Sequence, residues 1–81
     1  MKVRVKLFAV ARELAGRDTV EVVLPAHSTV GQLREALAAQ VPELAGLVRN
    51  VMFAIGAEYA DDRATISEAS DVACIPPVSG G

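Results

Sequence analysis

The chain has 81 residues, 52% apolar and 22% charged, which suits one domain with one hydrophobic core and leaves too little for two. Eight Lys and Arg against ten Asp and Glu give a net charge of −2, so no excess of positive charge points to nucleic acid or to an anionic membrane. The single cysteine, Cys74, has no partner for an internal disulfide, the N-terminus alternates in charge unlike a signal peptide, and no run of 18 apolar residues occurs, so the expectation is a cytoplasmic protein.

Residues 2–8, KVRVKLF, alternate strictly. Val3, Val5 and Leu7 point one way, with Lys2, Arg4, Lys6 and Phe8 pointing the other, which predicts a half-buried strand. A short helix over VARELAG follows, with Gly16 as its C-cap. RDTVEVVLP predicts a second strand with Val20, Val22 and Leu24 on one face, halted by Pro25; the tight return makes the pair antiparallel. The clearest helix spans residues 28–42. Thr29 and Gln32 fit a capping box, Val30, Leu33, Leu37 and Val41 form one apolar stripe, and Pro42 ends it. ELAGLVRN predicts a second short helical turn. VMFAI predicts a third strand, apolar enough to be central and covered on both faces. GAEYADD reads as a turn, a short edge strand and another turn, and ISEASDVACIPP leads into a last strand ending at Pro76. The fold class is therefore α+β, a mixed sheet packed against one main helix, with the first and last strands as parallel neighbours. The domain occupies residues 1–75, and residues 76–81 form an extended tail.

Chemistry is scarce in the body. There is no phosphate-binding glycine loop, no dinucleotide fingerprint, no HExxH and no CxxC, and no metal site is expected. The lone His27 sits in the Pro25–Thr29 loop as a solvated residue. Cys74 alternates with Val72 as a buried structural thiol. Asp61-Asp62 before Arg63 reads as a polar turn.

The end of the chain, IPPVSGG, remains. If Val72 and Cys74 face the core, Ile75 faces outward beside Phe8, and the two form an exposed apolar patch at the root of the tail, which marks an interface. Pro76 and Pro77 fix φ twice and remove two donors, so the chain leaves the sheet stiffly. Val78 offers one apolar knob, followed by Ser79. Gly80 and Gly81 carry no side chain and pass through channels closed to other residues. Six extended residues reach about 20 Å. The tail is built to deliver the Gly81 carboxylate into the active site of another protein.

Over its whole length the chain resembles the ubiquitin-like β-grasp sulfur carriers, and among them the small subunits of molybdopterin synthase. LFAVARELAG (7–16) is similar to that family's N-terminal strand and helix, STVGQLREAL (28–37) to its main helix, and DVACIPPVSGG (71–81) to its C-terminus. Gly56 stands where the family usually has Asn, Glu68-Ala69-Ser70 where it has Asp-Gly-Asp, and Cys74-Ile75 where an aromatic pair is common. The resemblance implies a β-grasp fold and a non-catalytic, sulfur-donating subunit that binds no cofactor itself. It further implies that an ATP-dependent activating enzyme adenylylates Gly81 and that sulfur, from a donor such as a cysteine desulfurase, converts it to a thiocarboxylate. The large catalytic subunit, in a heterotetramer, would then accept Pro76, Pro77, Val78, Ser79 and Gly80 as the threaded tail, and the sulfur would pass to cyclic pyranopterin monophosphate to build the molybdopterin dithiolene. Phe8 and Ile75 would form the interface with both partners. The rival readings are a carrier for thiamine or tRNA thiolation, a ubiquitin-like protein modifier, and a plain interaction module.

Overall fold

Strict alternation places Val3, Val5 and Leu7 inside and Lys2, Arg4 and Lys6 outside along β1 (Lys2–Leu7). The structure, a computed structural model, describes residues 1–77, so Val78, Ser79, Gly80 and Gly81 lie outside the described residues. The chain then turns through α1 (Ala9–Ala15), which ends at Gly16 in the left-handed conformation (φ 70°), as expected of a C-cap. There the Gly16 N–H donates to the Arg12 carbonyl at 2.9 Å. β2 (Thr19–Val23) returns antiparallel to β1, pairing Val5 with Val20 and Lys2 with Val23.

α2 (Val30–Gln40) starts at the predicted capping box. Gln32 N–H donates to the Thr29 hydroxyl, and the Gln32 side-chain oxygen accepts from Thr29 N–H. The next two free N–H groups are also satisfied: Val30 donates to Ala64 O and Gly31 to Asp62 O, both at 2.9 Å. The predicted stripe is buried, with Val30, Leu33 and Leu37 fully so. Each such side chain contributes roughly 1.5–3 kcal/mol through removal of apolar area from water. The predicted second helical turn is a short 3-10 turn at Pro42–Leu44, followed by further turns up to Asn50. β3 (Met52–Ile55) and β4 (Glu58–Ala60) form a hairpin whose turn places Gly56 at φ 65°, and β5 (Val72–Ile75) closes the sheet.

The strand order is β2-β1-β5-β3-β4. β1 and β5 are parallel neighbours, as expected, and the other pairings are antiparallel. All of the packing is on one face, where Phe53, Val72 and Cys74 meet α2 and the 42–48 segment. Among the described residues the opposite face carries no helix. β3 is therefore interior to the sheet but not covered on both faces, since Met52 is 51% exposed. Its continuous apolar run reflects an apolar outer surface rather than a second packed layer.

Gln40 closes the β2 edge of the sheet. Leu24 and Met1 exchange hydrogen bonds inside the β1–β2 ladder, which turns the Val23 peptide groups outward. The Gln40 carboxamide meets them as a neighbouring strand would: Val23 N–H donates to Oε1 and Nε2 donates to Val23 O, each at 2.9 Å. An uncovered edge is a template for strand addition. In Gln40→Ala, the Val23 amide should exchange with solvent about fivefold faster, for a loss of roughly 1 kcal/mol. Hydrogen exchange followed by NMR checks this, and an unchanged Val23 rate would show that the amide is held by something else.

Candidate docking face and tail root

The outer face of the sheet can be read row by row from the strand register. One row runs Lys6–Ala73–Ala54–Tyr59 across β1, β5, β3 and β4. The next pairs Ile75 with Met52. Phe8 extends that row on the β1 side, because its N–H continues the parallel ladder to the Cys74 carbonyl at 3.3 Å. Phe8 is 39% exposed, Met52 51% and Tyr59 65%, while Ala73 and Ile75 are half-buried. The structure thus brings Phe8 and Ile75 together on one outward surface and adds Met52 and Tyr59. Met52 and Tyr59 were not singled out from sequence, although the same parity count applied to β3 and β4 places them there.

Phe8 is not the last residue of the strand. β1 ends at Leu7, and Phe8 is the extended N-cap of α1 (φ −123°, ψ 153°). Ala9 follows at φ 52°, a left-handed conformation that is rare outside glycine. That backbone costs on the order of 1–3 kcal/mol and is typical of functional surfaces. It turns the chain from β1 into α1 while the Phe8 ring stays on the outer face. Lys6 Nζ lies 5.6 Å from the centroid of that ring, within cation–π range. On α1, Val10 and Leu14 lie one turn apart and are also exposed.

The tail leaves from the end of β5, next to this surface. Pro76 is buried and Pro77 exposed, so the last two described residues take the chain from the sheet into solvent. The expectations placed on Val78, Ser79, Gly80 and Gly81 fall outside the described residues.

The remaining candidates are structural. Cys74 is fully buried, opposite Phe53. Burial pushes its thiol up from 9.0 to about 11, with the Arg34 charge acting in the opposite direction. The neutral thiol is thus the form favoured by folding. Its stabilising contribution is intact below about pH 9 and is lost as the pH rises to about 11. At neutral pH Cys74 holds no thiolate with which to relay sulfur. Alkylation of the native protein near neutral pH should accordingly be slow and should accelerate on unfolding, as mass spectrometry would record. His27 is exposed in its loop at φ 64°. Asp61 accepts from Arg63 N–H at 2.8 Å, the polar turn expected of it. Asp62 pairs with Arg34 at 2.8 Å, a contact the sequence does not signal. Among the described residues no three His, Cys, Asp or Glu side chains converge as a metal site would require. Among the described residues no helix is long and apolar enough to cross a membrane.

Residues 5–81 match the ThiS family. A molybdopterin synthase sulfur carrier subunit from Arabidopsis thaliana is 35% identical over 81 residues, covering all of this chain and 84% of its own length. Among solved structures, SAMP1 (small archaeal modifier protein 1) from Haloferax volcanii superposes with a TM-score of 0.83 at 30% identity over the whole of both chains. A putative molybdopterin converting factor subunit 1 from Pyrococcus furiosus gives 0.81 at 28% identity, over 96% of this chain and 99% of its own. These ubiquitin-like β-grasp neighbours share the mixed sheet and main helix described above.

Proposed function

Because the chain belongs to the ThiS family, we propose that it is the sulfur carrier of molybdenum cofactor biosynthesis, with the Gly81 carboxylate as its one reacting group. The full-length likeness to molybdopterin synthase sulfur carrier subunits carries this reading. The position of the tail root supports it, because an exposed apolar face and the exit of the chain from β5 adjoin, and one partner can hold the first while receiving the second.

A carboxylate is a poor electrophile. An activating enzyme spends ATP to join it to AMP and releases pyrophosphate. Sulfur then displaces AMP, leaving a C-terminal thiocarboxylate. The large subunit of the synthase accepts the tail, with Pro76 and Pro77 setting its direction, Val78 and Ser79 filling the entrance, and Gly80 and Gly81 passing the narrowest part. There the sulfur attacks cyclic pyranopterin monophosphate, water cleaves the resulting acyl–sulfur bond and restores the Gly81 carboxylate, and two such rounds build the dithiolene. This chain supplies the sulfur and the docking face. ATP and the pterin are bound by its partners.

Intact-mass measurement of the protein isolated with its partners tests this. The expected species is heavier by the difference between one sulfur and one oxygen, and C-terminal fragments place the change on Gly81. A terminus that stays a carboxylate in the presence of ATP, activating enzyme and sulfur donor would refute it. The likeness to small archaeal modifier protein 1 favours a second reading, in which Gly81 ends in an isopeptide bond to a target lysine. High-mass adducts on immunoblots, absent when Gly81 is deleted, would identify that activity.

Phe8→Asp should weaken binding to both the activating enzyme and the large subunit by at least about tenfold, because it buries an unpaired carboxylate in an apolar contact. The fold should persist, since Phe8 lies outside the core. Calorimetric titration gives the affinity and circular dichroism the fold; unchanged affinity in a folded variant would remove Phe8 from the interface.

A further inference from the structure

The outer sheet face is divided by charge. Lys2, Arg4 and Lys6 stand in one exposed row on β1, with Glu21 as the cross-strand neighbour of Arg4. Across β5, β3 and β4 the same face presents only Ala73, Ile75, Ala54, Met52 and Tyr59. A chain of net charge −2 thus sets three cations against two anions on the face that adjoins the tail root, Glu21 beside Arg4 on β2 and Asp71, which precedes Val72 at the outward parity. The ion pairs among the described residues, Arg12–Asp18 and Arg34–Asp62, do not use these cations. Alternate residues of a strand stand about 6.6–6.8 Å apart, so the row is about 13 Å long. Neighbouring charges thus lie within one Debye length, roughly 8–10 Å at physiological salt, and an approaching molecule meets them as overlapping fields. Lys6, poised over the Phe8 ring, joins the row to the apolar half.

We propose that this row steers docking, and that the partner surface it fits is a protein patch with an apolar centre flanked along one side by carboxylates. This rests on the large-subunit reading above and adds how that partner is found. The uncharged half, with Phe8, Ile75 and Met52, favours a protein over a nucleic acid, whose phosphates would leave that half without a counterpart. Rim charges act mainly on the association rate and its salt dependence, whereas the apolar centre sets the dissociation rate.

The test is stopped-flow association of the full chain with the large subunit across a range of ionic strength. Three proteins are compared: the parent, the triple reversal K2E/R4E/K6E, and the control reversal R17E/R49E/R63E, which changes net charge equally at exposed positions off the face. At low salt the face triple should associate at least about tenfold more slowly with little change in dissociation, and the difference should vanish towards about 0.5 M salt. The control should associate within about threefold of the parent. Single neutralisations Lys2→Gln, Arg4→Gln and Lys6→Gln should each produce a smaller part of the effect, and they keep the inference testable if the triple melts early. Equal slowing by both triples would reduce the effect to net charge and overturn the proposal, as would a parental rate that is flat with salt. Oligonucleotide binding by the parent that is lost in the face triple would reassign the row to nucleic acid and overturn it too. No complex at any salt would overturn the large-subunit reading, and the steering with it; a complex with salt-flat association overturns the steering alone.

Discussion

Deletion of Gly81 is expected to lower the yield of converted pterin at least about 100-fold while leaving the unfolding curve within about 1 kcal/mol of the parent. Two physical facts set those numbers. Removing one extended residue shortens the reach of the tail by about 3.3–3.6 Å, and a misplacement of about 1 Å at a reacting centre already costs on the order of 10²-fold. The core, meanwhile, closes on Val72 and Cys74 and on α2, and a terminal glycine has no side chain with which to add apolar area to it. Gly80→Val should fail differently. Its carboxylate sits at the right depth, but a branched side chain enters a passage shaped for bare backbone. A reaction with ATP, activating enzyme, sulfur source, large subunit and pterin precursor separates the two. Each variant is followed first by mass for thiocarboxylate, then by product. Parental product from the Gly81 deletion would end the sulfur-carrier proposal.

Much of this architecture is legible in the sequence because local and global signals agree. The alternation of residues 2–7, the Thr29–Gln32 box, Gly16 and Pro42 each act within one element, and each appears where its pattern places it. Strand parity alone puts Phe8 and Ile75 outside. It is less able to say whether an apolar strand is covered, because Met52 facing solvent and Met52 under a second layer give the same letters. Gln40 on the β2 edge and Arg34 against the 48–51 segment are also silent in sequence, since both depend on residues far along the chain that only the closed fold brings near. The tail is the opposite case. Its order, Pro-Pro-Val-Ser-Gly-Gly, is informative as chemistry and lies mostly beyond the described residues.

Arg34→Ala should cost about 2–4 kcal/mol, the largest loss expected from any polar side chain in the structure. The guanidinium joins three segments that the chain order keeps apart. Nη1 donates to the Val48 carbonyl and, at 2.8 Å, to the Val51 carbonyl; Nη2 donates to Asp62 at 2.8 Å. Its plane stands over Phe53, with Cζ 5.1 Å from the ring centroid. The carbonyls matter most. They are part-buried at the entry to β3, and leaving each without a donor costs roughly 1–3 kcal/mol. The Asp62 pair adds little, since Asp62 is more than half exposed and solvent screens it. An order of severity follows. Asp62→Asn should cost well under 1 kcal/mol. Arg34→Lys should fall between, because an ammonium can reach one carbonyl but has no planar fork to span both or to stack on Phe53. Arg34→Ala should be worst. In denaturant melts the midpoints should fall in that sequence at constant slope, and each kcal/mol should lower the melting temperature by about 4–8 °C in a domain of this size. If Asp62→Asn proved as damaging as Arg34→Ala, the ion pair rather than the carbonyl tie would hold the 48–51 segment to α2. Cooperative unfolding of the folded fraction and thiocarboxylate formation at Gly81 should both survive in Arg34→Lys, since Arg34 acts on the far side of the sheet from the docking face.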